Sequence, residues 1–217
     1  MADEIAMTQE VRLEKGIESC RLFSSVFLIL PDHDFVKSLL ALSMGDDTES
    51  PGMQAIRQYV QQQRLNTIAS TLQEIAIDRA KLIRGVSERG PRPPYESLYV
   101  KEPTQNVMGS LNQFYAKLNC GVSEALRESS EQIGVEFAFV QLLLEHQLTA
   151  LKNDNGDKIK YYQELLQDFM RQHLGRWASD YAQEMERYAQ TDFYRGIALL
   201  LKDFMWEEMD AYKLFVQ

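Results

Sequence analysis

Three prolines in four residues, Pro91, Pro93 and Pro94, sit inside the stretch RGPRPPYESLY (89–99) and divide the sequence more sharply than any other feature. Each fixes φ and removes a backbone donor, so neither an α-helix nor a central strand can run through. The other prolines are Pro31, Pro51 and Pro103, which leaves long proline-free stretches on both sides. In those stretches apolar residues recur every three or four positions, the spacing of helices that bury one face, and strand-like alternation is scarce.

The chain therefore predicts an all-α bundle of about nine helices. A first helix over 4–30 presents Ile5, Val11, Ile17, Leu22, Val26 and Leu30. Asp32 caps a second over 34–43, which stops at the Asp-rich loop MGDDTESPG (44–52). A third ends near Arg64, and a fourth over 66–83 turns Ile68, Leu72, Ile75, Ala76, Arg79 and either Leu82 or Ile83 inward. Beyond the proline-rich stretch, Thr104 caps a helix over 105–118. Ser129 or Ser130 caps the next, whose apolar line is Ile133, Phe137, Val140, Leu144, Leu148 and Leu151. The turn Asn153-Asp154-Asn155-Gly156 separates it from a helix over 157–173, and Gly175 breaks the chain before helices over 176–190 and 192–215. One helical domain is expected, compatible with two lobes: about 1–88 and 104–217 around the loop 89–103.

Charge and composition narrow the function. With 45% hydrophobic and 25% charged residues the chain is ordinary for a soluble globular protein. Its net charge of −9 opposes non-specific nucleic-acid binding, which needs clustered Lys and Arg, and suits either a basic partner or solubility alone. The acidic excess concentrates from residue 128 onward, net −7 against −2 before it. No apolar run reaches a membrane span and MADEIAMTQE lacks a secretory pattern, so a cytoplasmic location is expected. Cys20 and Cys120 match no metal or redox spacing; they read as buried small side chains, with a disulfide between them left open.

Catalytic and metal patterns fail one by one. A carboxylate-bridged dimetal site needs Glu three residues before His, but Leu30, Leu143 and Met170 precede His33, His146 and His173 at that distance. No two glycines bracket a serine as in a nucleophile elbow. Gly85 and Gly90 have phosphate-loop spacing, yet Pro91 and Arg92 follow where Lys and a hydroxyl residue belong. No catalytic residue, metal or cofactor is expected.

Three stretches taken in order say more: PPYESLY (93–99), ESSEQIG (128–134) at the head of a long helix, and HLGRW (173–177) with Phe193-Tyr194 beyond it. Together they resemble the TorD/DmsD/NarJ family of molybdoenzyme maturation chaperones. The resemblance implies an all-helical, cofactor-free, cytoplasmic protein that binds the N-terminal leader of its client, commonly a twin-arginine export signal, until the molybdopterin cofactor is inserted. Its pattern at the long helix is Glu-Pro-x-Asp-His. Here Glu128 matches, Ser129 replaces proline, Glu131 replaces aspartate and Gln132 replaces histidine.

By this resemblance the peptide-binding candidates are Tyr95, Glu96, Ser97, Tyr99, Glu128, Glu131, Gln132 and Trp177. Asp203 and Glu207 join them from the acidic stripe Asp203, Glu207, Asp210 on the last helix. Each has a plainer role. Tyr95 and Tyr99 can pin the loop, Glu128 and Glu131 can serve a helix N-terminus, His173 and Trp177 can fill the core, and the last stripe can be solvated. A monomer is expected, with helix exchange between two copies open. Two other functions stay open at this point: a small nucleotide-binding or hydrolytic enzyme, and an adaptor for another partner on the same fold.

Overall fold

The structure is a computed structural model that describes residues 2–42, 50–86, 90–100, 106–123, 126 and 128–211. Among these residues nine α-helices follow one another: α1 Ala2–Leu28, α2 His33–Leu40, α3 Pro51–Gln63, α4 Ile68–Ile83, α5 Val107–Ala116, α6 Ile133–Lys152, α7 Gly156–Gln172, α8 Ala178–Tyr188 and α9 Asp192–Ala211. Two 3-10 turns, Glu96–Leu98 and Leu174–Arg176, complete them. The expected all-α class holds. The loop 43–49, Arg89, Thr104, the side chain of Asp210 and the chain beyond Ala211 lie outside the described residues.

The helix starts follow local chemistry. Asp32 accepts the Phe35 amide at 2.8 Å, as its position predicts, and Ser50, Thr67, Asn106 and Asn155 each accept the amide three residues on. Pro51 occupies the first turn of α3, where its missing N–H costs nothing. The α6 start differs from expectation. Gln132, rather than Ser129 or Ser130, caps it, its Oε1 accepting the Gly134 amide at 2.6 Å.

The helices gather into two compact units that interleave along the chain, so neither is a stretch on one side of the prolines. The first unit comprises Met1–Leu28, Tyr95–Trp177 and Glu207–Gln217. Its centre is α6 against α1. The buried line of α1 is Leu13, Ile17, Cys20, Phe23, Val26 and Phe27, while Val11 and Leu22, expected inside, are exposed. Phe23 meets Phe137 at 4.9 Å between ring centres. Gly134 lets Phe27 approach so closely that a Cβ there would stand 2.9 Å from Phe27 Cβ. On its other side α6 meets α7 through an aromatic cluster, Phe139 lying 4.8 Å from Phe169 and 4.9 Å from Tyr115. Each such ring, fully buried, contributes roughly 1.5–3 kcal/mol.

The second unit comprises Ile29–Pro94 and Ala178–Trp206. In α4 the buried line is Thr71, Ile75, Asp78, Arg79, Leu82 and Ile83, and the expected Ala76 faces solvent. Asp78 is buried for a reason that periodicity does not carry. Its carboxylate accepts the amides of Gln190 and Thr191 at 3.0 and 2.8 Å and the Thr191 hydroxyl at 2.8 Å, closing the N-terminus of α9 from another helix. Helices α3 and α9 touch backbone to backbone at two glycines. A Cβ on Gly196 would stand 2.5 Å from the Gly52 carbonyl oxygen and 2.6 Å from Ile56. Gly196→Ala is therefore expected to destabilise by about 1–3 kcal/mol through overpacking, read as a lower urea midpoint at unchanged slope.

Gly85, the first glycine of the phosphate-loop spacing, sits just past the end of α4 at φ +64, the left-handed conformation of a helix exit. Its face is covered by Pro93, whose Cγ would stand 2.7 Å from a Cβ. The glycine thus terminates a helix and packs on proline.

Candidate functional site

The site lies in the first unit, where the PPYES stretch meets the head of α6. Tyr95 is extended at φ −119 and ψ 129 and forms an isolated antiparallel bridge with Gln132. One residue on, the chain tightens into the 3-10 turn. Glu131 grips that turn twice: its carbonyl accepts the Glu96 amide at 3.1 Å and its carboxylate accepts the Ser97 amide at 2.9 Å. The Tyr95 hydroxyl donates to Glu128 at 3.1 Å. From the other side the Tyr115 hydroxyl donates to the Ser130 carbonyl at 2.7 Å, and the Ser129 hydroxyl points to the Met108 sulfur at 3.6 Å. The segment 128–132 is thus tied to both the loop and α5.

Beneath this surface is a polar core. Glu96 is 1% exposed and His173 3%. His173 Nδ1 lies 2.8 Å from the Glu96 carboxylate and Nε2 lies 2.9 Å from the Ser110 hydroxyl. The hydrogen bonds suit a proton on Nδ1, which donates to Glu96, while Nε2 accepts from Ser110. Phe114 meets the imidazole edge-on at 5.3 Å and Phe169 flanks it at 5.5 Å. The pair is the pin that fixes the 3-10 turn to the end of α7.

Serine, histidine and glutamate in this order could be taken for a hydrolytic relay. Ser110, however, stands in the first turn of α5, with its own amide bonded to the Asn106 carbonyl and the Gly109 amide to the Asn106 side chain. Those amides, which would have to stabilise an oxyanion, are already engaged. Among the described residues no group of three or more His, Cys, Asp or Glu is placed to hold a metal ion.

Glu136 is the residue that sequence reading missed. It is fully buried, and neither carboxyl oxygen has a well-formed hydrogen bond. Burial pushes its pKa well above the ordinary glutamate range and Glu96 raises it further, while the Trp177 indole N–H, the donor turned toward it, partly offsets both. The sequence carried a signal: Glu136 interrupts the apolar line three residues after Ile133 and four before Val140.

The ten candidates separate by burial. Glu96, Tyr99, Gln132 and Trp177 are buried, and Tyr99 and Trp177 pack together at 5.4 Å. Tyr95, Glu128 and Glu131 are half-buried and Ser97 is exposed. Asp203, in the second unit, and Glu207, in the first, are exposed on α9. Around the exposed part stand Leu98, 44% exposed, and Met108, 51% exposed, two apolar side chains that the sequence did not single out.

A family model described as nitrate reductase delta subunit matches residues 46–183, well over half the chain. The chain belongs to that family. The matched span contains the stretches 93–99, 128–134 and 173–177, and hence the Glu96–His173 pin and the head of α6, while Phe193-Tyr194 lies beyond it. Members of this family are maturation chaperones of molybdoenzymes and are not catalysts, which decides between the chaperone and the enzyme readings. No curated protein matches the chain. Among the described residues no helix is long and apolar enough to cross a membrane. Cys20 and Cys120 are free thiols, Cys20 buried and Cys120 only partly so, where both were expected inside.

Proposed function

We propose that this protein is a cytoplasmic chaperone for a nitrate-reductase-type molybdenum enzyme. It binds the N-terminal leader of the catalytic subunit, of twin-arginine type, and holds the client until cofactor insertion and assembly. The observation that carries the reading is the placement of Glu128 and Glu131. Both carboxylates are held half-exposed by Tyr95 and Ser97, beside the exposed Leu98 and Met108. A carboxylate offers about four acceptor positions and Glu131 gives one to the Ser97 amide, so it retains capacity for a guanidinium fork, and the adjacent apolar side chains suit the leader's hydrophobic part.

In this reading Tyr95 and Ser97 form the rim, and Glu96, Tyr99, Gln132 and Trp177 support it from below. Asp203 and Glu207 offer a second acidic strip. The protein acts as a monomer.

Titration with a synthetic leader bearing an Arg-Arg pair and an apolar stretch tests this by fluorescence anisotropy. Glu131→Gln, which keeps an acceptor for Ser97, is expected to weaken binding about fivefold, the value of roughly 1 kcal/mol for a half-exposed charged contact. Affinity is also expected to fall as the Debye length shrinks from ~30 to ~8 Å with added salt. Asp203→Asn, measured separately, reports whether the second strip takes part. Absence of binding at low salt, or an affinity indifferent to both salt and Glu131, would sink the proposal.

A further inference from the structure

A cavity of about 170 Å³ opens where the turn after α5 faces α6, walled by Tyr115, Phe139, Val135, Ala138, Leu142 and Cys120. Its size is close to that of an engineered core cavity, about 150 Å³, that accepts benzene, so one phenyl or branched aliphatic group fits. The polar groups of two wall residues are already satisfied: the Cys120 thiol donates to the Tyr115 carbonyl at 3.2 Å and the Tyr115 hydroxyl to the Ser130 carbonyl at 2.7 Å. Neither group calls for a polar ligand. The cavity also adjoins the acidic segment. Tyr115 is both its wall and the residue bonded to Ser130, next to Glu131, and Val135 follows Glu131 by four residues.

We infer that this cavity seats one large apolar side chain of the same leader peptide whose arginines face Glu128 and Glu131. The inference rests on the leader-binding reading and adds a residue-level anchor to it. Acidic groups and an apolar cavity joined through Tyr115 match a peptide that carries arginine and a bulky apolar residue a few positions apart. A free apolar small molecule would leave the carboxylates without a part in binding.

The test uses the full chain and the synthetic Arg-Arg leader. Ala138 is exposed on α6 and lines the cavity, so Ala138→Trp fills it from outside the core. The loss of one buried apolar side chain is expected to weaken binding about tenfold to a hundredfold. A second measurement needs no variant: Cys120 is partly exposed at the cavity and Cys20 is 0% exposed. Saturating leader is expected to slow alkylation of Cys120 at least tenfold, followed by peptide mass spectrometry. If Glu131→Gln weakens binding while Ala138→Trp and the Cys120 rate show no effect, the cavity inference is overturned and leader binding stands. If wild-type protein binds no leader, the leader reading itself falls and the cavity loses its occupant.

Discussion

Replacing Glu96 by alanine is expected to cost about 2–3 kcal/mol, the upper part of the range for leaving a buried hydrogen-bond donor unsatisfied. Glu96 is 1% exposed and is the acceptor for His173 Nδ1 at 2.8 Å. Alanine leaves the imidazole N–H without its acceptor between two phenyl rings, where no solvent replaces it. For a chain of this length that loss corresponds to a fall in melting temperature on the order of 10 °C. Glu96→Gln keeps an acceptor and is expected to recover roughly half. The effect should extend to binding, because the residues on either side of Glu96 are Tyr95 and Ser97, which hold Glu128 and Glu131 in place. Thermal unfolding followed by circular dichroism, alongside leader titration, reads both effects. An alanine variant that melts within about 1 kcal/mol of wild type would show that the pair is not the brace described.

That brace marks the boundary of what the sequence could disclose. Helices were legible because apolar spacing of three and four repeats for many turns, and the start of α2 was legible to within one residue because Asp32 caps it locally. Which face of a helix turns inward was less so. Helix α1 carries apolar residues around its girth, and only contact with α6 selects Cys20, Phe23 and Phe27 over Val11 and Leu22. Polar residues were hardest to place. Asp78 and Glu96 are buried for partners 113 and 77 positions away, a pairing that no local pattern encodes.

The site divides in the same way. Family resemblance located the stretches 93–99, 128–134 and 173–177, and the span matched by the family model, 46–183, covers them. Their joining was invisible. Glu131 gripping the 96–97 amides and His173 gripping Glu96 are contacts between segments 34 to 77 residues apart. Gln132 shows the cost of reading a residue by type alone. Its side chain serves the α6 cap and its backbone the bridge to Tyr95, so its place in the family histidine position is first a structural one.

Glu136 gives the second large effect, expressed through pH. In the folded protein its carboxyl keeps its proton well beyond the ordinary glutamate range, because burial and the neighbouring Glu96 disfavour a charge there. In the unfolded chain it ionises normally. Between the unfolded and folded pKa values the native state therefore binds one more proton, and stability falls as pH rises by about 1.4 kcal/mol per unit for this group. Below the unfolded value both states are protonated and the contribution is flat; above the folded value it is flat again at its lowest. Glu136→Gln cannot ionise and removes the slope. Urea unfolding at several pH values above the ordinary glutamate range is expected to show the difference between wild type and variant moving in the variant's favour as pH rises, until the folded carboxyl ionises. The variant's absolute stability at pH 5 is set by how its amide donors are satisfied beside Trp177 and Glu96, so the slope of the difference is the readout. Parallel profiles would mean that Glu136 ionises alike in both states, and the buried proton would be ruled out. A difference confined to the window above the ordinary glutamate range identifies Glu136 as the group that makes this unit prefer mildly acidic conditions.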